Sequence, residues 1–83
     1  MKTLIAILAL LPAVSIAGTC YSITDPDLRH YCLATSKGQM SYCYSIRDND
    51  KENLCKAQVS NTRSYCYSIR DRDLQNLCKA QVQ

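Results

Sequence analysis

The sequence contains no tryptophan and no phenylalanine, so its six tyrosines are the only large aromatic rings available for a core. A chain of 83 residues buries little apolar area in any case. Domains of this size are marginally stable unless disulfides, a metal ion or a partner add stability. The composition therefore predicts a fold that needs cross-links such as disulfides in addition to its apolar core.

The sequence also lacks the close cysteine pairs of metal and redox sites. Its six cysteines form no C-x-x-C motif, and His30 is the one histidine. Structural zinc sites use close cysteine pairs with further Cys or His nearby, and thioredoxin-like oxidoreductases use C-x-x-C. We therefore expect neither a metal site nor a cofactor.

No apolar run in the sequence is long enough to span a bilayer. The longest, residues 4–11, follows Lys2 and ends at Pro12, and the small residues Ser15 and Ala17 suit a cleavage site. This pattern is typical of a secretory signal peptide over residues 1–17, and an uncleaved membrane anchor is the disfavoured alternative. We expect a secreted or periplasmic protein, and the short signal is more typical of bacteria.

A strong charge of one sign is absent too. Without Lys2, nine Lys and Arg face seven Asp and Glu, a net charge of about +2. Nucleic-acid binding needs a larger positive excess. Membrane binding by an amphipathic face needs a broader apolar stripe than this chain offers.

What the chain does have is one motif that occurs three times. It reads CYSITDPDLRHYC from Cys20, CYSIRDNDKENLC from Cys43 and CYSIRDRDLQNLC from Cys66. A fixed period of 23 residues predicts a stack of similar units, each too small to bury its own apolar face. We divide the exported part, residues 18–83, into one domain of three units: unit 1 (20–42), unit 2 (43–65) and unit 3 (66–83).

Six exported cysteines at this regular spacing predict three disulfides in an oxidising compartment. Pairing between neighbouring units would leave Cys20 and Cys78 at opposite ends of the stack, too far apart to bond. Pairing within units repeats one bond three times. The predicted bridges are Cys20–Cys32, Cys43–Cys55 and Cys66–Cys78.

Each unit has the signals of a helix that begins after its first aspartate. Asp25, Asp48 and Asp71 are predicted N-caps, and a second aspartate two residues later suits the positive end of the helix dipole. Apolar residues then recur at helical spacing in unit 3, at positions 74, 77, 78 and 82. Gly38 is predicted to end the first helix.

The segments between these helices, 39–46 and 61–69, carry Ser-Tyr-Cys-Tyr-Ser-Ile. Spacings of three and four residues favour a short helix there, with Ser41, Asn61 and Thr62 as possible caps. A strand is the alternative, because Tyr-Cys-Tyr is prone to β structure. The predicted fold class is all-α: short disulfide-stapled helical hairpins in three tandem repeats, a small α-solenoid-like stack.

Two sequence patterns resemble a metal-binding or a catalytic site but lack residues that such a site needs. Asp48-Asn49-Asp50 resembles the start of a calcium loop, but the glycine and the terminal glutamate of such loops are missing. His30 could act as a base, but Asn53 and Asn76 stand at its place in the other units, so we expect it at the surface. We predict that the protein is not an enzyme.

The repeat also aligns residues that suit recognition. Tyr44 with Tyr67, and Arg47 with Arg70, occupy equivalent positions, and tyrosine and arginine are enriched at binding hot spots. These four residues are the candidate binding face. The alternative is that the tyrosines cover the thin core and the arginines are solvated.

The predicted architecture resembles α-helical hairpin solenoids, specifically the disulfide-stapled variants of Sel1-like repeats in bacterial secreted proteins. The likeness covers residues 18–83 and is one of architecture, since the period here is shorter and the Gly/Ala packing signature of those repeats is missing. It implies a protein-binding module, such as an inhibitor or an envelope accessory factor, with an unknown protein partner. A secreted toxin or antimicrobial peptide, and a structural envelope component that self-associates by end-to-end stacking, are the alternatives.

Overall fold

The structure is a computed structural model that describes residues 18–82, so the predicted signal peptide and Gln83 lie outside the described residues. Within them, no residue is in a strand, and three 3₁₀ helices alternate with three α-helices. The 3₁₀ helices span Cys20–Ser22, Met40–Ser45 and Arg63–Ser68, and the α-helices are α1 (Pro26–Lys37), α2 (Asn49–Ser60) and α3 (Arg72–Gln81). The all-α prediction is confirmed, and among residues 18–82 no helix has the length and apolar character needed to cross a membrane.

The three disulfides are those predicted from the repeat: Cys20–Cys32, Cys43–Cys55 and Cys66–Cys78. Each joins a 3₁₀ helix to the middle of the α-helix that follows, with Cα atoms 5.5–5.6 Å apart. Five of the six cysteines are fully buried, all but Cys32. The disulfide sulfurs thus take the central place that Phe or Leu side chains hold in larger cores.

The α-helices begin where local chemistry predicts. The carboxylates of Asp25, Asp48 and Asp71 each accept a hydrogen bond from the backbone N–H three residues on, at 2.8–2.9 Å. Pro26 occupies the first turn of α1, where its missing N–H leaves no hydrogen bond unmade.

The helix ends differ in part from the sequence-based expectation. Gly38 ends α1 in the left-handed conformation, with φ of +67°. Asn61, which the sequence suggests as a cap of the following short helix, instead ends α2 in that conformation, with φ of +53°. Neither Ser41 nor Thr62 caps a 3₁₀ helix through its side chain. Asparagine tolerates the left-handed region better than most residues, which explains how it replaces glycine here.

Gly38→Ala is expected to lower the free energy of unfolding by about 1 kcal/mol, because a Cβ disfavours the left-handed backbone. Open space surrounds the position, so a steric clash does not contribute. Gly18→Ala is the matched control, since Gly18 is equally open and does not have a positive φ. Urea unfolding followed by circular dichroism measures both; equal losses in the two variants would contradict this reason.

Neighbouring units are joined by apolar clusters that contain the disulfides. The junction between units 1 and 2 buries Ala34, Cys43, Ile46 and Cys55. The junction between units 2 and 3 buries Leu54, Ala57, Cys66, Ile69, Cys78 and Val82.

Tyr31 contacts both clusters. Its hydroxyl donates to Gln58, whose amide in turn donates to Gln81. Burial raises the pKa of Tyr31, because desolvation disfavours the charged phenolate.

The second aspartate of the motif connects consecutive units. The Asp27 carboxylate accepts the backbone N–H groups of Arg47 and Asp48 at 2.9 and 3.1 Å. The Asp50 carboxylate accepts those of Arg70 and Asp71 at 2.9 and 3.0 Å. We call this contact the carboxylate clamp. In the sequence these aspartates indicate only a favourable interaction with the helix dipole, and the clamp is visible only in the structure.

Unit 3 has a junction surface that no other described unit covers. Leu77 is 46% exposed, whereas Leu54, at the same place in unit 2, is 8% exposed. The apolar spacing in unit 3 therefore predicts the helix but not the burial. Cys78 and Val82 face the core, and Leu77 faces outward where the next unit would pack.

Candidate binding face

Each unit displays one tyrosine directly after its first cysteine. Tyr21, Tyr44 and Tyr67 are 62%, 60% and 60% exposed, although the cysteine beside each is fully buried. The disulfide holds that cysteine in the core, and adjacent residues of a helix point in different directions. The tyrosine is therefore held outward by a covalently fixed neighbour.

A lysine ammonium group lies over each of these rings. Lys56 lies 4.7 Å from the ring centre of Tyr44, and Lys79 lies 5.0 Å from that of Tyr67. In unit 1, Lys37 lies 5.7 Å from Tyr21. All three distances are within the range of cation–π attraction, about 6 Å. We call these six residues the tyrosine–lysine face.

The lysines also connect units along the stack. Lys37 lies 5.6 Å from the ring of Tyr42, and Lys56 lies 5.9 Å from that of Tyr65, each ring lying just before the next unit's first cysteine. Tyr42 and Tyr65 are half-buried against the core clusters. Each of these two lysines thus sits between an exposed ring and a half-buried ring of the following segment.

In unit 1, the lysine over the exposed tyrosine comes from a different position of the repeat. Lys56 and Lys79 are equivalent in the repeat, but Leu33 stands at their place in unit 1 and is buried. Lys37 follows Leu33 by one helical turn, on the same side of α1. Its ammonium group donates to the Tyr21 hydroxyl at 3.3 Å. The bonds to Tyr21 and Tyr42 raise the pKa of Lys37, because they favour its charged form.

The predicted site residues occupy different parts of this surface. Tyr44 and Tyr67 are exposed as the candidate face requires, but each meets a lysine rather than an arginine. Arg47 and Arg70 are exposed at the turns, and their backbone N–H groups belong to the carboxylate clamp. Within residues 18–82, neither guanidinium lies over a tyrosine ring or forms an ion pair.

One lysine of the face is fixed by a carboxylate. Lys56 forms an ion pair with Glu52 at 3.3 Å, one turn earlier in α2. Gln75 replaces this glutamate in unit 3, where its amide lies 3.5 Å from the Tyr67 carbonyl oxygen. The positive charge of the face is therefore less compensated at Lys79 than at Lys56.

A shallow apolar groove runs across the three units. It encloses about 250 Å³, less than the roughly 300–1,000 Å³ of most small-molecule sites. Its lining consists of Asp25, Asp27, Leu28, Tyr31, Lys51, Leu54 and Leu74.

The structure places His30 half-buried rather than at the surface as expected. Its Nδ1 atom is buried and has no hydrogen-bond partner among the described residues. Over residues 18–82, no three His, Cys, Asp or Glu side chains are grouped as a metal site requires. The aspartates that resemble a calcium loop instead accept backbone N–H groups, Asp48 as a cap and Asp50 in the clamp.

Comparison with protein-family models, with curated proteins and with solved structures finds no match to this chain. The likeness to disulfide-stapled Sel1-like repeats therefore remains one of predicted architecture. What is shown is a small, disulfide-rich helical repeat protein whose three disulfides fit an oxidising extracellular or periplasmic location.

Proposed function

We propose that this chain is an exported, non-enzymatic protein-binding module that presents its tyrosine–lysine face to an acidic protein surface. The observation that carries the proposal is the threefold display of an exposed tyrosine ring under a lysine ammonium group. An inhibitor or an envelope accessory factor would act in this way.

The rigidity of the face supports this role. Binding loses affinity when side chains must be ordered, by about 0.5–1.5 kcal/mol for each immobilised flexible side chain. Here the disulfides fix the backbone beside each tyrosine, and the lysines already rest on the rings. Much of the ordering is therefore complete before a partner arrives.

The chemistry of the face indicates the class of partner. Tyrosine supplies broad contact area together with a hydroxyl group, and it is enriched at binding hot spots. The lysines and the exposed Arg47 and Arg70 add positive charge at the same or adjoining turns. Positive surfaces steer and orient negatively charged partners, so an acidic protein surface is the complementary one.

Removing two of the three tyrosines of the face, together with the adjoining Arg47 and Arg70, is expected to weaken partner capture strongly. The test variant combines Tyr44→Ala, Tyr67→Ala, Arg47→Ser and Arg70→Ser, all at exposed positions. Immobilised wild type and variant are exposed to the same envelope or extracellular extract at two salt concentrations, and bound proteins are quantified by mass spectrometry. We expect at least a tenfold loss of an acidic partner from the variant, a difference of about 1.4 kcal/mol.

The control variant is Leu28→Ala with Leu77→Ala, which removes exposed apolar side chains of the groove and of the last unit. It should retain the partner as wild type does. Equal recovery by wild type and the four-residue variant would contradict the proposed face. Loss of the partner with the control alone would assign binding to the groove or the end of the stack.

A further inference from the structure

The carboxylate clamp is the same at both internal junctions. In each, one aspartate oxygen accepts an N–H group at 2.9 Å and the other accepts the next N–H group at 3.0–3.1 Å. The donors are always the two residues of the turn before the next α-helix. Such a charge-assisted pair of bonds fixes both the distance and the orientation between units.

Unit 3 carries the accepting half of a third clamp. Asp73 stands at the place of Asp27 and Asp50, and its carboxylate is exposed. It accepts no hydrogen bond within the part of the chain that the structure describes. The neighbouring Leu77 is exposed as well, where its counterpart Leu54 is covered by the next unit.

Unit 1 carries the donating half. The N–H groups of Thr24 and Asp25 stand at the places of the clamp donors and bond to no acceptor in residues 18–82. Their turn has the same backbone as the others: φ and ψ are −70° and 120° at Asp25, against −69° and 122° at Asp48. Ile23, before them, is half-buried, whereas Ile46 at its place in unit 2 is buried.

We propose that copies of this chain associate head to tail, with the Asp73 carboxylate of one copy accepting the Thr24 and Asp25 amides of the next. Leu77 then packs against Ile23 of that second copy, as the corresponding surfaces of neighbouring units pack within one chain. The occupant of the open end is a second copy because its first unit offers the donor pair in the matching conformation. The contact is heterologous, so each copy can bind one copy at either end and the association does not stop at a symmetric dimer.

The contact between copies is weaker than the internal junctions. Ser36 stands in unit 1 where unit 3 has the buried Val82, and no peptide connection holds the two surfaces together. A contact of one small unit on each side buries less area than a standard interface. We expect a dissociation constant on the order of 100 µM.

Sedimentation equilibrium of the exported, oxidised protein from about 10 µM to about 1 mM tests the association. The weight-average mass of the wild type should rise with concentration and pass that of a dimer.

Asp73→Asn should weaken association about tenfold, because one carboxylate oxygen is replaced by an N–H donor that faces another donor. Leu77→Lys should remove it within this concentration range. Thermal unfolding at low concentration should be nearly unchanged in Asp73→Asn, because the Asp73 carboxylate accepts no hydrogen bond within residues 18–82 and the substitution removes only its interaction with the helix dipole.

Ser64→Lys is the control, since it changes the net charge by +1 as Asp73→Asn does. Ser64 and its counterpart Ser41 are both exposed, so neither lies in a junction, and association of Ser64→Lys should match that of the wild type.

Amide NMR adds a local readout: the Thr24 and Asp25 resonances should shift with concentration in wild type and not in Asp73→Asn. A wild type that stays monomeric over the range, or an association that Asp73→Asn and Leu77→Lys leave unchanged, would overturn the proposal. Tyr44 and Tyr67 take no part, so their variants should associate normally, which separates this test from that of the binding face.

Discussion

Replacing Cys43 and Cys55 together by alanine is expected to lower the free energy of unfolding by about 3 kcal/mol. The bridge closes a sequence separation of 12 residues, and a loop of this length has that value in the chain-entropy model. Both cysteines are fully buried in the junction of units 1 and 2, so their removal also takes packed sulfur atoms from the cluster with Ala34 and Ile46. Small domains have only about 5–15 kcal/mol of stability in total, so the loss is a large share.

The matched control replaces Cys20 and Cys32, which close a loop of the same length at the end of the stack. Cys32 is only half-buried, and unit 1 has a neighbour on one side, so we expect local loosening of α1 rather than loss of the whole fold. Urea unfolding under non-reducing conditions, followed by circular dichroism, compares the two variants. A Cys43/Cys55 variant as stable as wild type, or less affected than the terminal variant, would contradict the central role of this bridge.

Asp50→Asn is expected to lower the melting temperature by roughly 5 °C or more, whereas Asp73→Asn leaves it nearly unchanged. The two aspartates occupy the same place in the repeat and the same first turn of an α-helix. Each substitution removes the same favourable interaction with a helix dipole. Only Asp50 accepts the N–H groups of Arg70 and Asp71, so the difference between the variants measures the clamp.

The pH dependence of stability supplies a second measure of the clamp. The bonds from the Arg70 and Asp71 amides lower the pKa of Asp50, and the bond from the Arg47 amide lowers the pKa of Asp27. A carboxyl group with a lowered folded-state pKa stabilises the fold above its unfolded pKa, about 3.9, and this stability is lost as the pH falls through the folded pKa.

We therefore expect the melting temperature of the wild type to fall as the solution is acidified below about pH 4. The Asp27→Asn/Asp50→Asn double variant should start lower and fall less over the same range, because its clamps no longer titrate. Differential scanning calorimetry from neutral pH down to about pH 2 makes the comparison. An identical acid dependence in both proteins would contradict the assignment of this stability to the clamps.

The features that follow from local chemistry could be predicted from the sequence. Asp25 caps a helix because its side chain reaches an amide three residues away, a contact that needs no neighbouring unit. The disulfides followed from the period, since only pairing within units satisfies all six cysteines in a linear stack. The all-α class followed from the same spacings. The 3₁₀ form of the short helices did not, because segments of that length are compatible with several backbone conformations.

The candidate face was only half visible in the sequence. The repeat aligned Tyr44 with Tyr67, and both are exposed. Alignment also suggested arginine as their companion, whereas the lysines that cover the rings come from the α-helix that follows, 12 residues further along the chain. The 23-residue period does not reveal Lys37, because it lies one helical turn after the position that Lys56 and Lys79 occupy in their units. Such pairings depend on how two helices of one hairpin lie against each other.

What the sequence by itself determined is the unit: its period, its disulfide and its capped helix, all of which rest on residues close together in one copy of the motif. Only the tertiary structure decided what each repeated residue does. Asp50 and Asp73, like Leu54 and Leu77, have the same place in the motif and the same local helix. The first of each pair is covered and bonded because another unit follows it, and the second is exposed at the end of the stack. Burial and hydrogen bonding between units depend on the neighbouring unit. The residues of a single motif therefore cannot predict which positions will be covered.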